Sequence, residues 1–247
     1  AHDPDPWEGH DLDPWEGHDP DPWEGLLWVV RLTVEFGGCR PAEDNAVFAG
    51  TTVHSEEYTD GIAWRGRKAL VLGTGNSGHD IAQDLYVNGV DVTMIQRSPT
   101  MVVNIEPSAQ LPYALYEEGP SLEDCDLLAA ATPLKVLRKM HQLVTEKAKT
   151  FDKPLLDALS GAGFLLDYGK NNTGWQFKYL ERGGGYYFNV GCSDLIANGQ
   201  IRVVQFQDVD RFIAAGAKLN NGETLDADLL VTATGYKGQH HLVASLF

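Results

Sequence analysis

The run Gly73-Thr74-Gly75-Asn76-Ser77-Gly78 constrains this chain most, because of what flanks it. Before it, Ala69-Leu70-Val71-Leu72 is a short apolar strand. After it, Ile81, Ala82 and Leu85 recur at helical spacing, and Asn88-Gly89 stops that helix. Asp91-Val92-Thr93-Met94-Ile95 then reads as a second strand. Strand, glycine turn, helix and strand within about thirty residues is the βαβ setting that gives G-x-G-x-x-G its meaning. Gly73 permits the tight turn, Gly75 lets the backbone approach a pyrophosphate, and Gly78 lets helix and strand pack closely. Asn76 and Ser77 open the helix, whose free N–H groups and positive end suit phosphate. The pattern predicts an α/β fold with a Rossmann-like dinucleotide-binding domain.

The end of the second strand selects the dinucleotide. An NAD site places an acid there for the ribose 2′-hydroxyl. This strand ends Gln96-Arg97-Ser98. Arg97, beside Ser98, can pair with a 2′-phosphate as a charge-assisted donor, and no acid competes. NADP is therefore expected over NAD.

Charge and composition exclude several classes. The net charge is −16, and residues 1–25 hold nine acids with no Lys or Arg. The remaining 222 residues carry 26 acids against 19 bases, so nucleic acid is not an expected partner. No apolar run is long enough to span a membrane, and no secretory leader is visible. Cys39, Cys125 and Cys192 form neither a CxxC nor a zinc spacing. Reduced thiols in a cytoplasmic protein are the expectation. Residues 2–9, 10–17 and 18–25 repeat HDPDPWEG with one change, Leu12. Its prolines bar a helix or a central strand. A solvated, disordered head is expected; a metal tract through His2, His10 and His18, or a docking ladder of Trp7, Trp15 and Trp23, are the alternatives.

A second motif precedes the glycine turn. Phe48, Gly50, His54 and Tyr58 form FxGxxxHxxxY, which composition alone reads as a loop and strand edge. The motif resembles the fingerprint of the flavin-containing monooxygenases. Baeyer–Villiger monooxygenases have a similar fingerprint ending in Trp, so Tyr58 leans toward the N- and S-oxygenating branch. Near the C-terminus, Leu229 to Tyr236 resembles the family's ATGY strand end, with Ala233, Thr234 and Gly235 in its motif. The three motifs stand in family order across residues 48–236.

The resemblance implies a monooxygenase that uses NADPH and FAD. Hydride from NADPH would reduce FAD, and a flavin hydroperoxide formed with O₂ would oxygenate a soft nucleophile or carbonyl substrate. The partners implied are that small-molecule substrate and O₂. The flavin carries the chemistry, so no protein nucleophile, acid–base dyad or metal ligand set is expected. Gly73, Gly75, Asn76, Ser77, Gly78, Arg97 and Ser98 would hold NADP. Phe48, Gly50, His54 and Tyr58 would link the two nucleotide domains, and Ala233, Thr234 and Gly235 would approach FAD.

The chain also departs from the family pattern. A G-x-G-x-x-G for FAD does not occur before residue 48, and Glu35-Phe36-Gly37-Gly38 is a poor echo of a first ATG element. The division expected is an octapeptide repeat at 1–25, a partial FAD-domain segment and fingerprint linker at 26–66, an NADP-binding domain at 67–215, and a return to the FAD domain at 216–247. Leu229, Leu230 and Val231 are then expected to lie exposed, favouring aggregation or a homodimer. A helical insertion is expected near 104–165. Within it, Thr132 and Pro133 read as the N-cap and N1 residues before an apolar stripe of Leu137, Met140, Val144, Ala148 and Phe151, with His141 packing beside it. Residues 182–191 read as a glycine and aromatic loop whose Tyr186, Tyr187 and Asn189 are candidates to line the flavin and nicotinamide site. Residues 201–206 and 225–231 read as strands joined through a turn at Asn220-Asn221-Gly222. A non-catalytic NADP-binding module and a disulfide reductase are the alternatives; the latter needs a CxxC.

Overall fold

The computed structural model describes residues 48–235. The octapeptide repeat, the strands expected at 26–40, Cys39 and Tyr236 lie outside them. The elements run, in chain order, β1 (Thr51–His54), β2 (Lys68–Leu72), α1 (Asn76–Val87), β3 (Asp91–Gln96), β4 (Met101–Asn104), α2 (Ala114–Glu118), α3 (Leu122–Ala131), α4 (Leu134–Phe151), α5 (Lys153–Gly161), α6 (Gly174–Arg182), β5 (Tyr186–Asn189), α7 (Cys192–Ala197), β6 (Arg202–Gln205), β7 (Val209–Ile213), β8 (Gly216–Leu219), β9 (Thr224–Asp226) and β10 (Leu229–Thr232).

Five strands form a parallel sheet in the order β1-β10-β2-β3-β6. The fold is therefore mixed α/β around a parallel sheet. Its central strands are near-continuous apolar runs, as strands covered on both faces must be. Ala69 to Leu72 are all buried, and α1 lays Ile81, Ala82 and Leu85 against β2 and β3. Parallel β4 and β5 make a second small sheet, and antiparallel β7, β8 and β9 a third.

The strand leading to Ala233 corrects one expectation. Leu229, Leu230 and Val231 are 0%, 3% and 0% exposed. Strand β10 is hydrogen-bonded on both sides, to β1 and to β2, so it is a central strand rather than an open edge. The apolar surface expected to drive association at this strand is absent.

Four local readings also change. Asn220-Asn221-Gly222 turns β8 into β9, not the 201–206 strand into its successor. The 225–231 run is split: β9 ends at Asp226, and the Asp228 carboxylate, taking the Lys68 N–H and the Arg67 guanidinium, starts β10 in another sheet. Residues 182–191 are not all loop, because Tyr186–Asn189 pairs with β4. Thr132 closes α3, its hydroxyl donating to the Leu128 carbonyl, and Pro133 holds the N-cap position of α4 alone.

The insertion is helical, but α4 is rotated from its expected face. His141, Thr145 and Ala148 are buried, while Met140 and Phe151 are about half exposed. The cause is the close approach of α6: Gly174 sits against Thr145, and Phe177 meets the His141 ring edge-on at 5.3 Å. Small and polar residues face that contact because bulkier ones would not fit. His141 packs, as expected. Buried Asp152 fastens the end of α4 to β4, accepting from the Asn104 N–H, the Asn104 amide and Ser108 Oγ.

Candidate dinucleotide site

The carboxyl ends of β1, β10, β2 and β3 lie side by side. The chain leaves β2 toward β3 and β6 on one side, while β10 and β1 flank it on the other. The switch between β2 and β10 is where an open parallel sheet forms its ligand crevice. The glycine turn stands at that point.

Two glycines there are sterically required. Gly73 has φ +120, and a Cβ on it would lie 2.2 Å from the Ala233 carbonyl oxygen. A Cβ on Gly78 would lie 2.3 Å from the Gly73 carbonyl oxygen. Gly75 differs: a Cβ there would meet nothing within 4 Å. Nothing in the protein excludes a side chain at Gly75, whereas an approaching pyrophosphate would.

Gly75 is the N-cap of α1, and exposed Ser77 lies in its first turn. The first N–H groups of a helix have no partner within it and point toward anions. The Asn76 side chain is engaged, since its Oδ1 accepts from the Phe188 N–H at 3.2 Å. That bond commits the side-chain oxygen, and the Asn76 backbone N–H at the helix start remains for a ligand.

The strand end resolves which side chain faces the crevice. Gln96 is 1% exposed and turns away: its amide bonds both the Leu165 carbonyl and the Leu165 N–H, at 2.9 and 2.8 Å. Arg97 and Ser98 are exposed beyond it. The turn and this strand end are tied together through buried Thr74, whose hydroxyl lies 2.7 Å from that of Thr100. Thr100 in turn donates to the Ser98 carbonyl. No local sequence signal marks Thr100 or Gln96; their partners come from distant segments.

The fingerprint residues are not brought together. His54 ends β1 at the crevice edge of the sheet, and its Nδ1 accepts from the Glu56 N–H. The next residue, Ser55, donates its N–H to Thr232 on β10. Phe48 and Gly50 precede β1 at the opposite, amino edge, where Gly50 fits under Phe48 and the Asp228 carbonyl. Gly50 also lines a cleft of about 510 Å³ there with Trp64, Arg67 and Asp228, away from the glycine turn. Tyr58 reaches along α1: its hydroxyl donates to Asp84 at 2.6 Å, beside the Gly61 N–H on the same oxygen. Burial and that carboxylate push the Tyr58 phenol well above its ordinary value. Tyr58 thus straps the linker to α1.

Ala233 sits inside the turn. Its N–H donates to Leu72 at 2.8 Å, and its carbonyl blocks any side chain at Gly73. Thr234 and exposed Gly235 continue along the crevice edge. Of the aromatic segment, Tyr187 is buried against the His79 ring rather than lining an open site. Asn189 bonds Asn104 and Asp194. Among the described residues no cluster of His, Cys, Asp and Glu could hold a metal ion, and no helix is long and apolar enough to cross a membrane.

Residues 43–132 match the sequence profile of a family described as flavin-binding monooxygenase-like. The match spans the fingerprint and the glycine turn together. The chain is similar in sequence to flavin-binding monooxygenases. It is 25% identical over 197 residues to a probable FAD-binding monooxygenase, AlmA, of Acinetobacter sp, covering 78% of this chain and 38% of that protein. It is 30% identical over 190 residues to the probable indole-3-pyruvate monooxygenase YUCCA4 of Arabidopsis thaliana, covering 77% and 41%. The chain thus spans about two-fifths of the length of these curated relatives. A crystal structure of cyclohexanone monooxygenase shares the fold, with a TM-score of 0.50 at 16% identity over 78% of this chain and 45% of that one.

Proposed function

We propose that residues 48–235 are the nicotinamide-dinucleotide-binding part of an FAD- and NADPH-dependent monooxygenase. The observation that carries this reading is the open approach to Gly75 at the start of α1, beside an exposed Arg97. A pyrophosphate needs backbone donors with no side chain in its path, and Gly75, Asn76 and Ser77 supply them. A 2′-phosphate needs a cation, and with Gln96 engaged elsewhere, Arg97 is the residue left to provide it. Ala233, Thr234, Gly235 and His54, along the same edge, would border the nicotinamide end.

FAD fits the described residues less well. They hold one glycine turn at a helix N-terminus, and its residues suit NADP. The flavin pyrophosphate would need a second such cradle, contributed by other sequence of the parent protein. NADPH would supply hydride and the flavin the oxygen chemistry; the part of this chain is to bind and orient the dinucleotide. The substrate proposed is a small soft nucleophile or carbonyl compound. The names of two relatives by sequence or fold, which refer to indole-3-pyruvate and cyclohexanone, favour the carbonyl. Because β1 and β10 share the sheet of β2 and β3, we infer one domain over 48–235 rather than boundaries at 67 and 215.

The test is equilibrium binding of NADPH and NADH to the chain and to Arg97→Ala. NADPH should bind more tightly, and the substitution should cost it about 1.5–3 kcal/mol, the range for a hydrogen bond to a charged group. NADH binding should hardly change. Equal losses for both would remove Arg97 from the 2′-phosphate. The single cradle also favours a second reading, a dinucleotide-binding module without turnover. Purification with excess FAD followed by desalting separates the two: a colourless chain that binds NADPH supports the module, and a retained flavin band near ~450 nm supports the complete oxygenase.

A further inference from the structure

We propose that His79, the residue following the glycine motif, is a positioning residue for the bound pyrophosphate: its ring clamps the Gly75 carbonyl and so fixes the direction of the N–H groups after it. The inference rests on the dinucleotide reading given above.

Gly75 cannot hold itself in place. It has no Cβ, nothing packs where one would be, and as an N-cap it offers no side-chain acceptor. The openness that admits a ligand therefore leaves the peptide free to rotate, and the restraint must come from elsewhere. The His79 N–H bonds the Gly75 carbonyl at 3.0 Å, and His79 Nδ1 lies 3.1 Å from the same oxygen. A carbonyl only accepts, so Nδ1 carries the proton and Nε2 is left a bare acceptor. With its carbonyl held twice, the Gly75–Asn76 peptide must aim its N–H outward.

The ring is itself fixed. His79 is 0% exposed and stacks face to face on Tyr187, with centroids 3.9 Å apart and planes 7° off parallel. The Tyr187 hydroxyl accepts from the Val190 N–H, and the neighbouring Phe188 N–H holds Asn76 Oδ1. Strand β5 thus braces the start of α1 at two points.

The bare nitrogen distinguishes positioning from packing. His79 Nε2 is buried without a partner. A buried acceptor left unpaired is unfavourable, and a phenylalanine would fill the same space without it. The unpaired Nε2 is a cost that a purely apolar side chain at this position would avoid.

The experiment uses the full chain with two substitutions, reading the Kd for NADPH and for NADH beside Tm. His79→Phe keeps the stack and loses the Nδ1 donor. Its Tm should match or exceed that of the unsubstituted chain, while both dinucleotides bind roughly threefold to tenfold more weakly, as loss of one neutral hydrogen bond implies. His79→Asn places an amide N–H where Nδ1 was and loses the stack. It should keep affinity within about twofold while its Tm falls. Unchanged affinity in His79→Phe, or affinity and Tm falling together in both variants, would overturn the proposal. If the unsubstituted chain binds neither dinucleotide, the reading of the whole site fails instead.

Discussion

Two alanine substitutions in the glycine turn should have opposite consequences. At Gly78 an added methyl would sit 2.3 Å from the Gly73 carbonyl oxygen and 2.9 Å from its carbon. Both atoms are backbone and part of the turn, so relief requires moving α1 off β2. Overpacking of this kind costs about 1–3 kcal/mol, and the alanine recovers about 0.5–1 kcal/mol of helix preference. The net expectation is a loss of about 1–2 kcal/mol, or a Tm lower by about 2–8 °C at this chain size. At Gly75 the methyl meets nothing, and φ −82 is open to alanine. The lower entropy of the unfolded chain, about 0.4–1 kcal/mol, roughly offsets the poorer N-cap. Gly75→Ala should therefore keep its Tm yet bind NADPH poorly, because the methyl occupies the path of the pyrophosphate. Thermal unfolding followed by circular dichroism gives Tm, and titration calorimetry gives binding. Equal Tm values for the two variants would refute the steric argument. Full binding by Gly75→Ala would refute the placement of the ligand.

Further outcomes follow from burial. Burial pushes the His79 imidazole down to about 4, against its hydrogen bonds to the Gly75 and Thr74 backbone, which favour the protonated form. The unfolded chain therefore takes up this proton first as the pH falls. Stability present above pH ~6.5 is lost progressively down to about pH 4, at up to about 1.4 kcal/mol per pH unit. Between pH 7 and pH 5 the unsubstituted chain should lose about 2 kcal/mol more than His79→Phe in urea unfolding, and identical losses would show that His79 is not titrating out of the fold. Leu229→Ala, at a fully buried site in a strand paired on both sides, should cost about 2–5 kcal/mol. A urea midpoint within error of the parent would mean that β10 is not central.

How much was legible in the sequence depended on the range of each signal. The β2–glycine–α1–β3 unit was read nearly to its boundaries, since strand, turn and helix period lie within one continuous segment. Helix α4 was found by its periodicity but turned on its axis, because Gly174 and Phe177, which decide its buried face, come from a separate helix. The 225–231 run reads as one strand in the sequence, because apolar pattern records burial and not which neighbour a strand pairs with.

The sequence by itself determined a βαβ unit with a glycine turn at the helix start, an arginine at the end of its second strand, and a resemblance to flavin-binding monooxygenases. Those features are contiguous residues whose backbone chemistry acts locally. The tertiary structure alone decided that β10 lies between β1 and β2, burying Leu229 to Val231 and pressing the Ala233 carbonyl onto Gly73. It also separated the fingerprint, leaving His54 at the crevice edge, Gly50 at the far edge and Tyr58 on Asp84. The ties that shape the site join residues far apart in the chain: Thr74 to Thr100, Gln96 to Leu165 and His79 to Tyr187. Which polar groups meet across such distances is set by how sheets and helices pack in three dimensions, and one-dimensional periodicity carries no record of it.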